Sequence, residues 1–100
     1  MWKHKVKLGQ WQETIEYGQP VRTLKWTTHF ANKKAVRQSE FYAAANVGLR
    51  PEVVFEVYAH EYDGHEMLQF DSVDYMIMRT YENGDIIELV CTANVGDANG

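Results

Sequence analysis

The chain is short of cysteine and proline, and it has no long apolar run. Its one cysteine among 100 residues, Cys91, leaves no internal disulfide to make. Cys91 stands in an apolar, strand-like stretch and reads as a small buried hydrophobe. No run approaches the ~20 apolar residues that cross a membrane as a helix. Met1–Gln10 has no apolar stretch of the kind a secretory signal needs. A chain folded in the cytoplasm, with no membrane partner, is therefore the expectation. Charge of either sign is moderate: 10 Lys and Arg against 14 Asp and Glu give a net charge of −4, which argues against a protein that grips phosphate over its whole surface. A Gly-rich phosphate loop, an internal repeat and a low-complexity segment are all missing.

What is present is aromatic and alternating. Three Trp, six Tyr and four Phe suit a β protein or an interface. One domain over residues 1–95 and a flexible tail over 96–100 are expected from length and from the Gly-Asp-Ala-Asn-Gly ending. Lys5–Leu8 alternates and opens the first strand; Trp11–Tyr17 is a possible extension, with Gln12 and Glu13 able to distort the ladder. Tyr17-Gly18-Gln19-Pro20 is a turn, and Val21–Phe30 is the second strand, with Leu24, Trp26, Thr28 and Phe30 on one face. Ser39–Asn46 reads as a short helix: Ser39 caps it, three alanines favour it, and Asn46 and Gly48 end it. Two turns of helix do not stand alone, so this one must dock on something. Arg50-Pro51 restarts an extended chain, and Val53–Ala59, Met67–Asp71 and the stretch from Tyr75 are further strands. The fold class is mainly β: a small single-domain barrel or sandwich of about five or six mostly antiparallel strands with one short helix.

The last hairpin carries the strongest local signal. Asn83-Gly84 is the preferred pair for a type I′ turn. Centred there, the turn sets Glu82 against Asp85, Tyr81 against Ile86, Arg79 against Glu88 and Ile77 against Val90. Met76, Met78, Ile87, Leu89 and Cys91 then form the core face. Tyr75, Ile77, Tyr81, Ile86 and Val90 form the opposite face, which is too apolar for water: either the sheet closes on itself as a barrel, or a neighbouring subunit covers part of that face, which makes it a candidate intersubunit surface.

Few residues are arranged for chemistry. His60, Glu61, Asp63, His65 and Glu66 form the one cluster of metal-ligand types, spaced H-E-x-x-x-H rather than H-E-x-x-H, with Gly64 opposing a helix. A solvated turn is the plainer reading; convergence of His60 and His65 across a loop is the alternative, and it lacks a third strong ligand nearby. Ser39 and Ser72 have no histidine at motif spacing. No catalytic, metal or cofactor site is expected. Bases gather on the first strand at Lys3, Lys5 and Lys7, and around the helix at Lys33, Lys34, Arg37 and Arg50. The second group brackets Phe41 and Tyr42, which can stack or plug; Lys33, Lys34 and Arg50 are candidate basic contacts.

Asn32–Ala45, then Gly48-Leu49-Arg50-Pro51-Glu52 and an alternating strand, then Leu68–Tyr75, Arg79-Thr80-Tyr81 and Ile87–Cys91, resemble in order the head–tail adaptor, or head-closure (stopper), proteins of long-tailed bacteriophages. The resemblance runs from about Val6 to Ala93 and rests on a succession of weak motifs. It implies a small β-barrel in a homo-oligomeric, dodecameric ring, with the portal's adaptor above and the tail or its terminator below. It implies a place in the virion after assembly in the host cytoplasm, and a channel that DNA passes without sequence-specific contact. The weakly negative charge is compatible with such a channel. The segment Ala35–Leu49 corresponds to one that reaches toward the channel, which makes Arg37, Gln38, Glu40, Phe41 and Tyr42 candidate gate or interface residues. A tail-terminator ring is the alternative structural reading; a single-strand-binding barrel and a metal-dependent hydrolase are the alternatives of other classes.

Overall fold

The alternation that begins at Val6 and Leu8 does not stop there. In the computed structural model, β1 runs His4–Glu16 and turns through Tyr17-Gly18 into β2, Gln19–Lys34. The structure describes residues 2–37 and 50–93. The expected helix Ser39–Asn46, the gate candidates Gln38, Glu40, Phe41 and Tyr42, and the tail 96–100 lie outside the described residues. β1 and β2 stay in register from His4↔Ala31 to Glu16↔Gln19, so Gln12 and Glu13 do not break the ladder. Tyr17 and Gly18 both take positive φ, 53° and 76°, as a type I′ hairpin turn requires.

β3 (Val53–Tyr58) leads through a 3-10 turn at Ala59–Glu61 to β4 (Met67–Phe70), β5 (Val73–Asn83) and β6 (Ile86–Ala93). The strands close in the order β1-β2-β3-β6-β5-β4, every pairing antiparallel. The fold is thus a small, mainly β, six-stranded closed barrel. Its interior holds Val6, Leu8, Phe55, Val57, Leu68 and Leu89 with their neighbours. Phe55 is fully buried, with its ring centroid 5.1 Å from that of Phe70 and 6.2 Å from that of Tyr75. Closure removes the edge problem wherever pairing is complete.

The last hairpin departs from the expected register. The closing pair is Asn83↔Ile86, and the turn residues are Gly84 and Asp85. Gly84 has φ +66°, while Asp85 is not among the positive-φ residues, which is the type II′ pattern rather than I′. Glu82 therefore faces Ile87, and Arg79 faces Val90 instead of Glu88. A ladder continued unbroken from this turn would set Met78 opposite Cys91. A bulge between Ile77 and Arg79 absorbs one residue and sets Ile77 there instead. One residue of slip inverts a strand's faces. Tyr75 and Ile77 accordingly pack against the core, and Met76 faces outward at 36% exposure. Val90, on the face expected to be covered by barrel closure or by a neighbouring subunit, is fully buried within its own chain. Of the five residues proposed for an intersubunit surface, Tyr75, Ile77 and Val90 are taken up internally; Tyr81 is exposed and Ile86 half-exposed.

Candidate interface: a projecting arm and a charged outer belt

β1 meets β4 only at Lys7, Leu8 and Gly9, and β2 meets β3 only at Asn32, Lys33 and Lys34. Beyond those ladders the two strands pair with no other strand among the described residues, although Gln10 donates to the Asp63 carbonyl at 2.6 Å and His29 meets Glu61. Residues 10–16 and the facing part of β2 form a two-stranded arm outside the barrel, and residues 11–20 are all exposed. The molecule is correspondingly long, 48 × 33 × 23 Å.

The arm has two unlike faces. In the barrel section Val6 and Leu8 point inward, at even positions of β1. In the arm those even positions are Gln10, Gln12, Thr14 and Glu16, whereas the odd ones include Trp11 and Ile15. Trp11 faces Leu24, Ile15 faces Pro20 and Gly9 faces Trp26, so the apolar side is continuous with the barrel's outer surface. Trp11 is 41% exposed and Ile15 70%. The guanidinium of Arg22 lies 4.8 Å from the Trp11 ring centroid. At the arm's base the Trp26 ring packs on the bare backbone of Gly9.

A second feature lies on the outer face of β3 and β6. Glu56 and Glu88 stand directly opposite each other, an arrangement that would repel if left alone. Arg37 grips Glu88 with a two-toothed bond, Nη1 to Oε1 at 2.8 Å and Nη2 to Oε2 at 2.9 Å. Lys34 Nζ donates to Glu56 Oε2 at 3.1 Å and lies 3.7 Å from Glu88 Oε2. The hydrogen bonds from Arg37 are the main cause holding the Glu88 carboxyl below its ordinary pKa. Arg37 and Lys34, expected as gate and basic-contact residues, are thus engaged with their own chain. Lys33 Nζ sits 5.7 Å from the Phe70 ring centroid, and Arg50 is exposed.

The histidine-rich connection between β3 and β4 packs against the core through Ala59 and Tyr62. His65 is 7% exposed, and its Nδ1 accepts a bond from the Asp63 N–H at 3.1 Å. Burial chiefly, then the nearby His29, lowers its pKa. His60 instead lies beside Tyr58, at 5.5 Å between ring centroids, and is 76% exposed. Glu61 is turned to His29: its Oε1 is 2.9 Å from His29 Nδ1, while His29 Nε2 is 2.6 Å from Thr27 Oγ1. Among the described residues no three metal-ligand groups converge. This network fastens the connection to β2 at the root of the arm.

The arm was missed as a unit in the sequence, although its signal is there. The apolar positions switch from even to odd between Leu8 and Trp11 with no bulge to explain it. Such a phase switch marks a strand leaving the core that had oriented it.

No protein-family model matches the chain, and no curated protein matches it in sequence.

Proposed function

We propose that the chain is a structural subunit of a bacteriophage head–tail connector. In this reading it is a head-closure (stopper) protein, which forms a ring below the portal and its adaptor, retains packaged DNA and receives the tail. The observation that carries the reading is the arm. A two-stranded ribbon with one aromatic face is marginal by itself in water, and among the described residues no further strand pairs with it.

A second observation is compatible with a gate. The described residues on either side of 38–49 are anchored to the barrel. Before it, Arg37 is tied to β6 through Glu88. After it, Pro51 is buried, the Glu52 N–H donates to the Cys91 carbonyl at 2.8 Å, and Glu52 Oε2 accepts from the Ala93 N–H at 3.1 Å. Gln38, Glu40, Phe41 and Tyr42 remain the gate candidates. DNA retention in such a ring comes from side chains narrowing a channel, without reading of bases.

Electron cryomicroscopy of assembled particles tests this. A ring of this protein between portal–adaptor and tail is the expected result, and particles lacking the protein should lose DNA after packaging. A chain that stays a tight monomer and does not bind capsids carrying portal and adaptor would end the reading.

A further inference from the structure

The arm leaves two strand edges open. Along residues 10–16 the side of β1 away from β2 pairs with no strand among the described residues, and along 19–31 the same holds for the side of β2 away from β1. Unpaired edges of this length are templates for another strand. Pro20 has no N–H to give, so the outward-pointing donors of the β2 edge begin at Arg22.

Charge is divided between the two edges. In the arm, β1 carries Glu13 and Glu16 and no base; β2 carries Arg22 and Lys25 and no acid. All four are exposed. Two arms meeting β1 to β1 would set acids against acids, and β2 to β2 would set bases against bases. Only β1 against β2 joins opposite signs. Because β1 and β2 run antiparallel within one arm, that junction continues an antiparallel sheet.

We propose that the arm is an assembly element whose occupant is a second copy of this chain: the β1 edge of one arm pairs with the β2 edge of the next. The junction is heterologous, so each copy keeps one edge free for a further copy, and the series closes into a ring when the rotation per copy allows. The apolar faces bearing Trp11, Ile15 and Leu24 then line up on one side of the joined sheet. This deepens the ring reading above by naming the surface that builds the ring, and it rests on that reading for the identity of the partner.

Sedimentation velocity of the full-length chain, over a range of concentration and salt, is the test. The wild type should assemble, more weakly as salt rises. Glu13→Lys/Glu16→Lys and Arg22→Glu/Lys25→Glu should each raise the concentration needed by about tenfold or more. An equimolar mixture of the two variants should assemble again, as should the chain carrying all four changes. Circular dichroism melts separate lost assembly from lost fold. A monomeric wild type, indifference to either charge change, or a mixture without rescue would each overturn the arm pairing. A ring that forms in spite of both changes leaves the connector reading standing, and imaging of particles judges that reading separately.

Discussion

Trp26 covers Gly9. A methyl group placed on Gly9 would lie 2.9 Å from Cζ3 of the indole and 3.0 Å from Cε3. That is inside van der Waals contact, so glycine here supplies room for the ring. The pair sits where the arm leaves the barrel, and its packing sets how the two join.

Gly9→Ala should therefore destabilise the protein. The overpacking cost is about 1–3 kcal/mol. Alanine returns less than ~1 kcal/mol in chain entropy. A lower melting temperature, with altered Trp fluorescence in the folded state, is the expected outcome. An unchanged melt would mean that the indole swings aside freely.

The outer-belt charges are coupled in a directional way. Arg37→Ala leaves Glu88 facing Glu56, with Lys34 the cation that remains beside both among the described residues. Glu88→Gln removes one of the two facing charges along with the bond. The arginine change should cost more, at about 1 kcal/mol, since Arg37 is 58% exposed and solvent screens the pair. The double variant should show non-additivity in chemical denaturation. Because Glu88 titrates below its ordinary value when folded, its contribution is full above that ordinary value and is lost as pH falls through the folded one.

His65 makes a separate contribution at milder acidity. Its folded pKa lies below the ordinary 6.5, so the unfolded chain takes the proton first. Stability should hold above about 6.5, decline as pH falls toward the folded value, and level off below it. Thermal melts across pH 5 to 8, the usual range for histidine, should display that decline. His65→Gln should flatten it while lowering stability at neutral pH, because the buried ring and its bond from Asp63 are lost. A decline that persists in the variant would assign the titration to another group.

Cys91 should be inert in the folded protein. It is fully buried, and burial pushes its thiol up to about 12. A thiol reagent at pH 8 should label it only as fast as the barrel opens, and at once in denaturant. Rapid labelling of folded protein would contradict the packing of β6.

Strand identity was legible in the residues because alternation is local. Val53, Phe55 and Val57 announce an inward face, and Ile87, Leu89 and Cys91 announce the face that meets it. The hairpin turns at Tyr17-Gly18 and near Asn83-Gly84 were legible for the same reason. Register was not. Whether Gly84 takes the second or the first central position of its turn depends on which closing pair better satisfies the packing behind it. The bulge that turns Tyr75 and Ile77 inward has no signature of its own in Met76-Ile77-Met78, three apolar residues of similar size.

Nor were the long-range ion pairs legible. Arg37 and Glu88 are 51 residues apart, and only closure of β3 against β6 brings them together. What the amino-acid order decided alone was the period: a β chain, the places of its turns and, outside β5, the side of a strand that is greasy. What tertiary structure decided was which greasy sides are used. The barrel encloses Val6 and Leu8 but ends before Trp11 and Ile15, because β4 meets β1 over only three residues. Burial depends on how many neighbours a strand finds, and no residue encodes that by itself.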